Sequence, residues 1–277
     1  MQHQESSFKG YEGVTLFYQS WHPEGESKAV LMIIHGLGEH GGRYPNVVNH
    51  LVPKGYAIYA LDHRGHGRSE RAGAAHVLAW QEFREDVRAF HQLVAEKEAG
   101  KPLFVLGHSM GGLITLNYLQ HHQEGVQGAI ISAPAVGKLD VPAVIDFISG
   151  ILSGIAPAFA VPTNLDSTAI SRDAAVVKAY QNDPFVHGKG TPRFATELKK
   201  TAAETMANAG KISLPLLMIH GDQDKLVNVA NTRAFFPKVS SADKELIIYE
   251  GGYHESHNDI HHEQVTADLE RWLEAHL

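Results

Sequence analysis

The chain has 277 residues, 43% hydrophobic and 20% charged, which is ordinary globular composition with room for one large core. A net charge of -7 and the lack of any basic block argue against a nucleic-acid partner. With no cysteine, the chain can carry no disulfide, thiolate nucleophile or cysteine-ligated metal. The polar start MQHQESSFKG lacks the apolar centre of a signal peptide, so a cytoplasmic location is expected.

The first predicted element is an antiparallel hairpin at a sheet edge, in FKGYEGVTLFYQSWHP, where a glycine-containing turn separates two strand-like arms. Six short apolar runs follow: Val30 to Gly36, Tyr56 to Asp62, Leu103 to Ser109, Gly128 to Pro134, Leu216 to Asp222 and Glu245 to Gly251. They alternate little between apolar and polar, which suits strands covered on both faces, as in a parallel sheet. Helical spacing fills most of the gaps. Phe83, Val87, Phe90 and Val94 recur at three and four, with Gly100 as a stop. GLITLNYLQHH follows Ser109, and Val265, Leu269 and Trp272 share one face near the end. Alternating strands and helices predict an α/β fold, a mostly parallel central sheet flanked by helices.

The rhythm breaks at 136–210, where helical pieces such as AAVVKAYQND and RFATELKKTAAETMANA occur and no strand run does. This segment is expected to be a helical cap, inserted after the sixth strand of a single domain spanning 1–277. Its stretch Val141 to Pro162 is apolar and about long enough to span a bilayer. Asp146, Gly150, Gly154 and Pro157 interrupt it, so a lid over an active site, able to touch a membrane peripherally, is the better expectation.

In open α/β sheets, sites form beyond the carboxyl ends of the strands. Here His35, Asp62, Ser109, Asp222, Asp224 and His254 all fall at or just after predicted strand ends. Gly107-His108-Ser109-Met110-Gly111 fits G-x-S-x-G between a strand and a helix, the context in which such a serine is a nucleophile. A serine hydroxyl needs a base, and the base needs an orienting carboxylate. His254, carried by a loop after two glycines, is preferred as base over His257, which begins the approach to the last helix. His257, His261 and His262 read as a solvated helix start. A metal held by His257 and His261 on a shared helix face lacks any known zinc pattern. The carboxylate is Asp222 or Asp224; spacing leaves both open. Oxyanion donors are expected at the backbone N–H of Met110, after the nucleophile, and of Leu37, in the loop HGLGEH. Arg64, Gly65 and Gly67 are expected to shape a turn.

HGLGEHGGRY, DHRGHGRS, GHSMGG, HGDQDKLV and YHESHND together resemble the monoacylglycerol lipase and lysophospholipase branch of the α/β-hydrolases, from about Ser6 to Leu277. The resemblance implies Ser109 as nucleophile, Asp224 as triad acid and His254 as base, with Leu37 and Met110 at the oxyanion positions and no cofactor. It implies a small lipid ester as substrate, a monoacylglycerol first. A lysophospholipid, a short-chain ester and a peptide are the rivals, and a non-catalytic binding protein on the same scaffold is the reading from another class.

Overall fold

The computed structural model describes residues 1–138 and 150–277. In chain order the described strands are β1 (Gln2–Lys9), β2 (Thr15–His22), β3 (Ala29–Ile34), β4 (Tyr56–Leu61), β5 (Leu103–His108), β6 (Gly128–Ser132), β7 (Val161–Pro162), β8 (Lys189–Gly190), β9 (Leu216–Gly221) and β10 (Lys244–Tyr249). All but β7 and β8 form one sheet in the order β1-β2-β4-β3-β5-β6-β9-β10. The β1–β2 and β2–β4 pairs are antiparallel, and the remaining pairs are parallel.

The sheet is covered on both sides, and β3 shows why its strand has no polar phase. Val30, Met32 and Ile34 join one apolar cluster, while Ala29, Leu31 and Ile33 join the other. The first cluster takes Phe83, Val87, Phe90 and Val94 from α2 (Gln81–Lys97). It also takes Leu113, Ile114 and Leu116 from α3 (Met110–Leu119). The second takes Val47, Val48 and Leu51 from α1 (Pro45–Leu51), and Val265, Leu269 and Trp272 from a C-terminal helix (His262–Glu274). Every residue of α3 is buried, so this helix is apolar all round rather than on a stripe.

β1 departs from the expected hairpin arm by starting six residues earlier, in the polar stretch before Phe8. An edge strand exposed on both faces needs only backbone pairing with β2, so polar side chains suffice. Between β6 and β9 the described chain holds helical residues 150–155, α4 (Ala174–Asn182) and α5 (Pro192–Ala207). It also holds the two-residue strands β7 and β8, which the sequence reading did not anticipate. Two residues are too few to leave an alternating pattern. After β9 come α6 (Val229–Phe235) and, beyond β10, α7, the helix His262–Glu274 named above. Residues 141–149 of the apolar stretch lie outside the described residues. Of the remainder, Ile151, Ile155 and Phe159 are exposed. Among the described residues no helix is long and apolar enough to cross a membrane.

Candidate active site

Ser109 sits where β5 turns into α3, with φ 54° and ψ -118°, a region that L-residues avoid. The turn is pinned by Ser109 N–H to the Ser132 carbonyl at 2.9 Å and by Leu113 N–H to the Ser109 carbonyl at 3.1 Å. The flanking glycines are required by contact. A Cβ on Gly107 would stand 2.3 Å from Thr115 Oγ1 and 2.7 Å from the Gly111 carbonyl. One on Gly111 would stand 2.0 Å from the Ile34 carbonyl, so this glycine lets α3 start against the end of β3. Gly36 brings the next loop in as well, its own Cβ position lying 3.2 Å from Ser109 Cβ.

The loop after β10 carries His254 back to this point. Ser109 Oγ lies 2.9 Å from His254 Nε2, and His254 Nδ1 lies 2.6 Å from Asp224 Oδ2. Asp222, the other carboxylate that spacing left open, turns away and accepts the Gly251 N–H at 2.7 Å. Burial alone would hold the His254 imidazole below its ordinary value, but Asp224, then Glu255 and Glu39, outweigh it and the net shift is upward. Burial likewise works to raise Asp224, yet His254 and His220 outweigh it and the carboxyl lies far below the usual range. Such a carboxylate stays ionised and such an imidazole readily accepts a proton. Leu37 and Met110 line the cavity beside Ser109, which has a volume of about 490 Å³.

Two sequence expectations are corrected. His257 is not solvated: it is buried, stacked on Tyr44 at 4.7 Å with 3° between the planes, and desolvation pushes it down to about 4. Nor does it share a helix face with His261, because it belongs to the 3₁₀ turn Ser256–Asn258 while α7 begins at His262. Arg64 does shape the turn after β4, from a buried position between Asp86 and Glu82.

The sequence reading missed a buried ionic cluster beside His254. Arg43 donates from Nη1 and Nη2 to Glu255 at 2.6 and 2.9 Å, and from Nη1 to Glu39 at 3.0 Å, under the ring of Tyr180. Burial raises both carboxyls, but Arg43 holds Glu255 below its ordinary value and leaves Glu39 above. Glu39 also accepts the Gly36 N–H at 2.6 Å, tying the cluster to the Leu37 loop. Its only sequence signal was E-H-x-x-R, read as a family marker rather than as a charge pair.

The inserted segment grips both loops. Ile170 takes the Glu255 N–H at 2.8 Å, and Arg172 Nε donates to Asp259 at 2.8 Å. Asp259 in turn accepts the Tyr253 N–H, next to His254. At the other end, the His187 N–H donates to Gly38 at 2.9 Å and His40 pairs with Asp183 at 2.9 Å. Of the insertion's other aspartates, Asp166 and Asp173 accept local N–H groups, and Asp140 and Asp146 lie outside the described residues.

A family model described as "Serine aminopeptidase, S33" matches residues 25–261. A monoacylglycerol lipase of Mycolicibacterium smegmatis is 38% identical over 99% of this chain and 98% of its own. The chain belongs to the monoacylglycerol lipase branch of the α/β-hydrolases. The Mus musculus monoglyceride lipase is 31% identical to this hydrolase over 95% of the chain and 88% of its own length. Among solved structures, the Paleococcus ferrophilus monoacylglycerol lipase superposes with a TM-score of 0.86 at 26% identity, over 95% of this hydrolase and 99% of that chain. The enzyme is therefore an ester hydrolase of the lipase type.

Proposed function

We propose that this hydrolase releases fatty acid and glycerol from monoacylglycerols through an acyl-enzyme. Ser109 Oγ attacks the ester carbonyl as His254 Nε2 takes its proton. Asp224 fixes the imidazole tautomer and stabilises the cation. The N–H groups of Leu37 and Met110 hold the oxyanion. His254 then gives its proton to the departing glycerol oxygen. Water, deprotonated by His254, attacks the acyl carbon, and the fatty acid leaves as Ser109 regains its proton. The observation that carries the reading is the unbroken relay from Asp224 through His254 to Ser109 on the wall of the cavity. Leu165, Ile170 and Leu198 of the 136–210 cap give that cavity an apolar wall. Burying an acyl chain there gains about 0.8 kcal/mol per CH₂.

Fatty-acid release is measured on monoacylglycerols of graded length, diacylglycerol, lysophosphatidylcholine and a short p-nitrophenyl ester, with Ser109→Ala beside each. Preference for medium or long monoacylglycerols, lost in the variant, is expected. Turnover of the short ester alone would retain the triad and discard the lipase assignment. The exposed Ile151, Ile155 and Phe159 support a peripheral contact of the cap with a lipid surface. The double variant Ile155→Asp, Phe159→Asp should then bind liposomes less well, and equal binding would remove that contact from the reading.

A further inference from the structure

The triad acid has a second imidazole on it. Asp224 Oδ1 accepts the N–H groups of Leu226 at 2.8 Å and Val227 at 2.9 Å. Oδ2, the oxygen that takes His254, also takes His220 Nε2 at 3.0 Å. His220 is the penultimate residue of β9 and is fully buried. Its Nε2 faces a second acceptor, the Val227 carbonyl at 3.1 Å, so this nitrogen carries the hydrogen. Its Nδ1 meets Thr232 Oγ1 at 2.8 Å, on α6, and Thr232 is buried too. The ring is thus tied at both ends with one N–H aimed at the carboxylate.

We propose that His220 is a positioning residue of the reaction, whose N–H shares the charge on Asp224 Oδ2 with His254 and so sets how strongly Asp224 holds the His254 proton. The inference rests on the reading of His254 as general base. A carboxylate oxygen with two donors pulls less on each than an oxygen with one. Without His220, Asp224 holds the His254 proton harder, the imidazolium is favoured, and the base is lost at a higher pH. Among the described residues, the other groups facing His254 are Ser109, His108 with its ring centroid 4.7 Å away, His257, Glu255 and Glu39, and none of them contacts His220 through a hydrogen bond. Leu226 and Val227 still anchor Asp224 when His220 is replaced, so the change is in charge sharing.

The test compares His220→Gln with His220→Met, side chains of similar length that differ in the N–H donor. The pH dependence of kcat/KM is recorded per active site, titrated with a fluorophosphonate. His220→Gln should keep the acid limb. His220→Met should move it upward by roughly half a pH unit, with kcat reduced and KM unchanged. Identical acid limbs in the two variants would overturn the inference, even if both are slow. If His220→Met does not fold, His220→Asn, polar but too short to reach Asp224, takes its place with the same expectation. Ser109→Ala and His254→Ala run alongside. Activity surviving in either sinks the serine-hydrolase reading itself, whereas loss in both with unmoved limbs sinks only the role of His220.

Discussion

On the proposed mechanism, Asp224 and His254 set the working pH through opposite shifts. A base must be neutral to accept the serine proton, and the His254 imidazole lies above its ordinary value of 6.5. Activity should therefore fall as pH drops through a point above 6.5, while Asp224, held far below its usual range, stays ionised throughout. A kcat/KM profile checks this, and an acid limb below 6.5 contradicts it. Asp224→Asn should lower kcat by roughly 10⁴, measured per folded active site, because the imidazole loses the group that fixes its tautomer. Arg64→Ala acts on stability instead. It strands the buried carboxylates of Asp86 and Glu82, so urea unfolding should show a loss of about 3–5 kcal/mol. Ser109 and His254, the proposed nucleophile and base, were the legible ones, because one stands at a strand end in a recognisable turn and the other in a glycine-led loop after a strand. Arg43, Glu255 and His220 were not. Arg43 and Glu255 are 212 positions apart, and a partnership at that distance leaves no local pattern.

At the scale of elements, the nucleophile turn is intolerant and the cap is not. Gly111→Ala drives a methyl into the Ile34 carbonyl at 2.0 Å, which the packed end of β3 cannot yield, and little soluble protein is expected. Gly154 is helical with nothing within 4 Å of a Cβ, so Gly154→Ala should raise the melting temperature by about 2 °C. Calorimetry of the second and expression of the first decide both. Strands buried on two faces were readable because burial forces apolar residues at every position, as in β3. The polar half of β1 was not, since an edge strand is specified by its partner's backbone rather than by its own side chains.

Across the whole molecule, burial of histidine couples stability to pH. His35, His63, His66, His108 and His257 are buried, and desolvation first, with neighbouring charges, holds each below 6.5. Unfolded, each takes up a proton near 6.5, so below that pH the unfolded state binds more protons and stability falls. The loss starts near pH 6.5 and runs down to about 4 for His257 and about 3 for His63. Each such group removes up to about 1.4 kcal/mol per pH unit in its window. The urea midpoint should drop steeply between pH 6.5 and 4.5, and a flat profile would contradict this account.

The 145 positions between Ser109 and His254 also carry a consequence for biogenesis. The Ser109 turn rests on β3, β5 and β6, all made before the 136–210 segment, whereas His254, the proposed base, arrives only with the loop after β10. A nascent chain can thus present a nearly complete sheet and still be chemically silent. On the proposed mechanism, reactivity toward a fluorophosphonate becomes a clock for the docking of that loop.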